Sequence, residues 1–96
     1  MTARLETIIR QKQLERAAVD LVTARYPSTQ AGAVNGMIVL RTIDHVLCID
    51  LKASATPLTQ RRLNEHARLR RKGFKVLTAR SAFEVQMALP RQRVAA

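Results

Sequence analysis

The pattern of apolar and polar positions divides the chain into a long first helix, an apolar middle and a basic second half. Apolar residues recur at helical spacing from Leu5 to Ile9, and the same face continues with a small drift in phase to Val22. The proline at position 27 cannot continue a helix, and it displaces the residue before it from helical geometry. The pattern therefore predicts an N-terminal helix within residues 1–26, followed by a loop.

Two short apolar runs follow, at residues 37–40 and 46–51, and a polar joint separates them. Their length and β-branched content favour strands, and the short joint favours an antiparallel hairpin over residues 35–52. The second run is almost continuously apolar, which is typical of a strand buried on both faces. Asp50 is therefore expected near the end of a buried strand, where a charged side chain is unusual.

The second half predicts a helix, a strand and a further helix. Thr56 and Pro57 form a capping residue and a first-turn proline, so a basic helix is expected over residues 56–72, ending at Gly73. The remaining expected elements are a strand over residues 74–79, a helix over 81–89 that opens with the capping box Ser81-Ala82-Phe83-Glu84, and a basic tail over 90–96.

This order, α-β-β-α-β-α, predicts a single α/β domain over residues 1–96 with a small mixed β-sheet flanked by helices. A hairpin followed by a helix and another strand combines antiparallel with parallel pairing. The 96 residues allow one thin core, and 47% apolar with 25% charged residues is the composition of a folded domain. Cys48 is the single cysteine, which excludes a disulfide framework and a cysteine-based zinc site.

The net charge of +10, from 17 basic and 7 acidic residues, favours an anionic partner. Four of the basic residues are lysines and the rest are arginines, whose planar fork binds phosphate in a bidentate manner. A basic protein with no such partner is the alternative. No stretch approaches the length of a membrane span, and the charged N-terminus lacks the apolar core of a signal peptide, so we expect a cytoplasmic protein with no membrane contact.

The basic helix concentrates this charge, because its cations face a single acid, Glu65. Like charges one helical turn apart repel, and contact with phosphates offsets that repulsion. A solvated face and an acidic protein partner are the alternatives. Since aromatic residues are few, backbone contact with duplex or branched DNA fits better than base stacking. The candidate nucleic-acid-binding residues are Arg61, Arg62, Arg68, Arg70, Arg71 and Lys72.

The tripeptide Asp50-Leu51-Lys52 is the strongest candidate for chemistry. Residues two apart on a strand point to the same side, so a carboxylate and an ammonium would stand together. The carboxylate can hold Mg²⁺, and the lysine can act on a water or stabilise charge on a phosphate. A surface ion pair is the alternative. Glu15, at the border of the buried face of the first helix, is either a second acid of the site or an ordinary surface glutamate.

From about Glu15 to Leu89 the chain resembles the PD-(D/E)xK nuclease superfamily, particularly its virus-type replication-repair nuclease (VRR-NUC) branch. The resemblance lies in the helix bearing Glu15, the glycine-rich approach to a strand at residues 32–40, CIDLKA at 48–53, Leu58-Thr59-Gln60 and GFKV at 73–76. It implies a restriction-endonuclease-like core and a metal-dependent DNA endonuclease, with branched DNA as one candidate substrate and a homodimer as the expected assembly.

The resemblance assigns a role to each matching residue. It implies Glu15 and Asp50 as ligands of Mg²⁺ or Mn²⁺, Lys52 and Asp50 as catalytic residues, and Gln60 as the glutamine that follows the lysine in this branch. The family's first aspartate falls on Asn35, or on Gly36 if the register moves by one. Asparagine offers a metal a neutral oxygen without a charge, which weakens the binding of a hard divalent cation.

Two functions therefore remain open. The first is a Mg²⁺-dependent DNA endonuclease, or an impaired version of one, in which the aspartate was lost naturally or replaced in this chain. The second is a non-catalytic module of the same fold that binds nucleic acid or an acidic protein partner. His45 and His66 are expected to be surface or packing residues, and Asp44, at the hairpin turn, cannot replace the missing aspartate.

Overall fold

The fold is taken from a computed structural model that describes residues 2–26, 32–41 and 46–89. The expected loop at residues 27–31, the hairpin turn with Asp44 and His45, and the basic tail from residue 90 lie outside the described residues. The elements in chain order are α1 (Thr2–Arg25), β1 (Ala33–Val34), β2 (Met37–Arg41), β3 (Val46–Leu51), α2 (Gln60–Arg71), β4 (Lys75–Ala79) and α3 (Ala82–Ala88). The expected small mixed α/β fold is confirmed.

The four strands form one sheet in the order β1-β2-β3-β4. The pairs β1–β2 and β2–β3 are antiparallel, and β3–β4 is parallel because α2 crosses between them. Asp50 on β3 lies opposite Met37 on β2 and Thr78 on β4. The predicted hairpin and the mixed pairing are thus both present.

A two-residue strand, β1, was not predicted from the sequence. It joins β2 through Asn35 and Gly36, whose φ angles of 54° and 73° are those of a type I′ hairpin turn. Asn-Gly is the preferred sequence for that turn, because both central residues must adopt left-handed backbone geometry. Asn35 therefore has a structural role as a turn residue.

Alternating residues of β3 face opposite sides of the sheet, and both sides are covered, as predicted. Leu47, Ile49 and Leu51 pack in the hydrophobic core with residues of α1 and α3, whereas Asp50 points toward α2. The core residues are Leu14, Ala18, Val22, Ile38, Leu40, Leu47, Ile49, Leu51, Ala79, Val85 and Leu89. The sheet therefore separates a core of aliphatic side chains from a polar cluster beneath α2.

The predicted start of α2 at Thr56 and Pro57 is wrong, because the helix begins at Gln60. Thr59 is its N-cap, and the Thr59 hydroxyl accepts a hydrogen bond from the Arg62 N–H at 3.2 Å. The Arg80 guanidinium binds the carbonyl oxygens of Ser54 and Thr56, which holds the preceding segment outside the helix. The end at Arg71 and the positive φ of Gly73, 89°, agree with the expected stop.

The prediction of one continuous apolar face on α1 is also wrong. Leu5, Ile8 and Ile9 are 59%, 47% and 47% exposed, and the buried face begins further along, at Leu14. The drift in phase along α1 turns the first three side chains away from the sheet. Met87 on α3 is likewise 70% exposed. Within the described ranges, none of the helices combines the length and the apolarity needed to span a membrane.

Candidate functional site

Asp50 is a buried carboxylate, 1% exposed, that accepts three side-chain hydrogen bonds. Arg62 donates two of them, from Nε to Oδ2 at 2.8 Å and from Nη2 to Oδ1 at 2.6 Å. Nε2 of His66 lies 2.7 Å from Oδ2 and acts as a donor, because an ionised carboxylate can only accept. The bidentate pair with arginine is the strong, directional form of a carboxylate ion pair.

Helical spacing explains why α2 supplies both partners. Arg62 and His66 are four residues apart, so they lie on the same face of α2, the face that meets Asp50. Arg62 Nη2 also donates to the carbonyl oxygen of Asn35 at 2.7 Å. A Cβ atom at Gly36 would lie 3.1 Å from this nitrogen, so the glycine leaves room for the guanidinium. Arg62 thereby joins α2 to β3 and to the β1–β2 turn.

The Arg62 guanidinium stays charged in this setting. Its hydrogen bond to Asp50 raises the pKa of Arg62 and outweighs the opposing effect of partial burial. His66 is 2% exposed, which agrees with a packing residue, but its bond to Asp50 was not foreseen. The available signal was the acid on a buried strand, because such an acid requires a cationic or hydrogen-bonding partner.

The structure brings most of the candidate residues to one cleft, of about 310 Å³, at the end of β3. Glu15, Asn35, Asp50 and Lys52 all line it. Gln60 does not, since it is the first residue of α2, is exposed, and donates from Nε2 to Oδ1 of Asn64 at 2.9 Å. The geometry therefore groups four of the five residues that the resemblance assigned and leaves Gln60 apart.

Gln11 is a further residue of the cleft that the sequence did not reveal. Its Nε2 donates to the Leu51 carbonyl at 2.8 Å and its Oε1 accepts from the Ala53 N–H at 2.9 Å, so it binds the backbone on both sides of Lys52. The same Nε2 donates to Oε2 of Glu15 at 2.9 Å. Gln11 thus fixes the end of β3 and orients the carboxylate of Glu15.

The residues present do not fit the divalent cation that the resemblance implies. Across residues 2–26, 32–41 and 46–89, no group of three or more His, Cys, Asp or Glu side chains could hold a metal ion. Both oxygens of Asp50 accept hydrogen bonds from the Arg62 guanidinium, and the main-chain carbonyl oxygen of Asn35 accepts from that same group. A hard cation prefers several carboxylate oxygens, and this cleft offers few.

The basic residues of α2 divide into inward and outward groups. Arg62 turns inward to Asp50, and Arg70 donates from Nη2 to the Val76 carbonyl at 3.0 Å. Arg68 pairs with Glu65 at 2.6 Å, which lowers the pKa of that glutamate. The exposed cations that remain on the solvent side form what we call the outward face of α2, comprising Arg61, Arg68, Arg71 and Lys72.

The outward face follows from helical periodicity, because Arg61, Arg68 and Arg71 are separated by seven and three residues.

Comparisons with protein-family models, with curated proteins and with solved structures found no match for this chain. The site geometry and the short motifs are therefore the basis for assigning a function.

Proposed function

We propose that this domain binds nucleic acid through the outward face of α2, on a nuclease-like fold that no longer performs metal-dependent cleavage. The observation that carries the proposal is the row of exposed cations, Arg61, Arg68, Arg71 and Lys72, with one acid, Glu65, among the residues of α2. A row of like charges is self-repelling, and phosphate contact relieves the repulsion.

Contact with the backbone of duplex or branched DNA is the binding mode that this surface favours. Arginine forks match phosphate oxygens in a bidentate manner, and the net charge of +10 draws a polyanion to the domain. The chain has one tyrosine, two phenylalanines and no tryptophan, so it has little aromatic surface on which unpaired bases could stack.

A restriction-endonuclease-like core of the PD-(D/E)xK type is part of the proposal. The mixed sheet supports it, with a hairpin leading into β3, a crossover helix and a parallel β4. The grouping of Glu15, Asp50 and Lys52 at the end of β3 also supports it.

The contacts of the acidic residue Asp50, and the absence of an aspartate at position 35, favour binding without cleavage over a Mg²⁺-dependent endonuclease. Asp50 is bonded to Arg62 and His66, and the position of the family's first aspartate holds Asn35, the first residue of a tight turn. Lys52 remains half-buried in the cleft, yet a lysine alone cannot gather a metal ion.

Fluorescence anisotropy with labelled duplex and four-way-junction DNA tests the binding. We expect the double variant Arg61→Ala/Arg71→Ala to weaken binding and to lower the slope of log affinity against log salt by about 2, since each phosphate contact contributes roughly 0.9. The matched control is Arg10→Ala/Arg16→Ala, which removes the same charge from exposed positions on α1. Equal losses of affinity in both double variants would mean that net charge alone causes the effect, and salt-insensitive binding would contradict the proposed phosphate contacts.

A cleavage assay tests the proposal that the domain does not perform metal-dependent cleavage. Wild type, Lys52→Ala and Asn35→Asp are incubated with duplex, flap and junction DNA in Mg²⁺ or Mn²⁺. We expect wild type to cut no faster than Lys52→Ala. Metal-dependent cleavage by wild type that disappears in Lys52→Ala would restore the endonuclease assignment.

A further inference from the structure

The burial of Asp50 requires a positive charge beside it. A carboxylate that is 1% exposed is stable only when a cation and hydrogen-bond donors replace the water it has lost. Here the donors are Nε and Nη2 of Arg62 and Nε2 of His66. The charge of the carboxylate is therefore balanced entirely by side chains of α2.

The position of the guanidinium is more specific than a neutralising charge would require. One nitrogen, Arg62 Nη2, donates to Asp50 Oδ1 at 2.6 Å and to the Asn35 carbonyl at 2.7 Å. It thus joins the carboxylate of Asp50, an expected metal ligand, to the main chain of Asn35, the residue at the position of the family's first aspartate. The third, Glu15, is bonded to Gln11 in the same cleft.

The backbone is shaped to admit this group. Gly36 adopts a φ of 73°, and any Cβ there would come within 3.1 Å of Arg62 Nη2. Thr59 caps the first turn of α2 by accepting from the Arg62 N–H, which fixes the residue from which the guanidinium extends. A glycine in the β1–β2 turn and a cap on the helix therefore define the same small space.

We infer that the Arg62 guanidinium occupies the position of a divalent cation between Asp50 and Asn35, as a permanent counter-ion, and makes the folded domain independent of metal. The charge balance agrees, because a single carboxylate here meets a single guanidinium. The inference does not depend on nucleic-acid binding, since a domain that bound no DNA would still have this counter-ion.

Thermal unfolding in EDTA and in millimolar MnCl₂ tests the inference. Wild type should unfold at the same temperature in both. Arg62→Ala leaves Asp50 and the Asn35 carbonyl facing an empty space, so it should unfold at a lower temperature in EDTA and recover roughly 5–10 °C when Mn²⁺ is present at about ten times its Kd. The double variant Asp50→Asn/Arg62→Ala should not respond to Mn²⁺.

Two controls separate this effect from loss of an arginine in general. Arg61→Ala removes a neighbouring exposed arginine and should change neither the unfolding temperature nor the response to Mn²⁺. Arg62→Lys retains a cation at the site and should also be insensitive to Mn²⁺. Arg62→Ala with no Mn²⁺ response would overturn the inference, as would a response in Arg62→Lys equal to that of Arg62→Ala.

A measurement on wild type alone keeps the inference testable if Arg62→Ala does not fold. In a Mn²⁺ titration followed by electron paramagnetic resonance, bound Mn²⁺ loses the sharp signal of the free ion. We expect the sharp signal of free Mn²⁺ to keep its full intensity at every protein concentration, because wild type should not bind the ion. Saturable loss of signal, abolished by Asp50→Asn, would show that the metal displaces the guanidinium and that the inference is wrong.

Discussion

Asp50 shows how one residue can determine the identity of its neighbours. Strand alternation made its direction predictable, and the same rule placed Lys52 at the same cleft. Its partners Arg62 and His66 could not be chosen from the sequence, because the face that α2 turns to the sheet is set by packing and by the cap at Thr59. The acid was therefore predictable and its counter-ion was not.

Substitution of Gly36 tests how tightly the backbone surrounds Arg62. Gly36→Ala should lower the free energy of unfolding by more than the roughly 1–2 kcal/mol expected for a left-handed alanine, because the new Cβ also displaces Arg62 Nη2. Gly73→Ala, at a φ of 89° in open space, isolates the backbone cost. Gly32→Ala, with neither constraint, should stay within about 0.5 kcal/mol of wild type. Chemical denaturation measures all three, and equal effects at positions 36 and 73 would contradict the contact.

The thiol of Cys48 should react slowly with thiol reagents in the folded protein. It is 1% exposed, and burial raises the pKa of its thiol, so the reactive thiolate is disfavoured. The folded state therefore holds the thiol proton to a higher pH than the unfolded chain does. The contribution of this thiol to stability is full below its ordinary pKa and is lost as the pH rises through the raised pKa of the folded state. Labelling with Ellman's reagent should be slow natively and fast in guanidinium chloride. Rapid native labelling would contradict this burial.

At the scale of elements, long periodic segments were predictable and short ones were not. The bounds of α1, β3 and α3 agree with expectation to within one or two residues, since a proline follows α1, β3 is a continuous apolar run and a capping box opens α3. β1 has two residues, too few for a pattern, and its signal was the Asn-Gly turn that was interpreted as a metal site. The start of α2 was misplaced because Thr56 and Pro57 form a cap pattern in the sequence, whereas Thr59 caps the helix in the structure and Arg80, distant in sequence, binds the Thr56 carbonyl.

The attachment of α1 to β3 depends on Gln11. Gln11→Ala removes two hydrogen bonds to the backbone of Leu51 and Ala53 and should lower the free energy of unfolding by about 1–3 kcal/mol. Gln13→Ala is the matched control, because Gln13 is exposed and makes the same change in helix propensity. Urea denaturation compares the two variants. Equal stability of both would contradict the role given to Gln11.

At the scale of the whole molecule, the net charge and the exposed apolar residues indicate which surfaces could contact other molecules. Leu5, Ile8 and Ile9 form an exposed stripe on α1, since they are three and four residues apart. If the homodimer that the resemblance implies forms, this stripe is an apolar surface of α1 available for its interface. Light scattering after size exclusion should then give twice the 10.8 kDa mass of one chain. Ile9→Glu should halve that mass, whereas Phe83→Glu, at an exposed site on α3, should not; a monomeric wild type would contradict the homodimer.

Arg70 also has a consequence for solubility. Among the described strands β4 lies at the edge of the sheet, where it pairs with β3 on one side only and leaves backbone groups of the other side available for pairing. The Arg70 guanidinium covers one of them, the carbonyl of Val76. Charged side chains at such an edge prevent the sheet from extending into aggregates. The helix proposed to hold phosphates therefore also shields one position of the edge strand β4 from pairing with another chain.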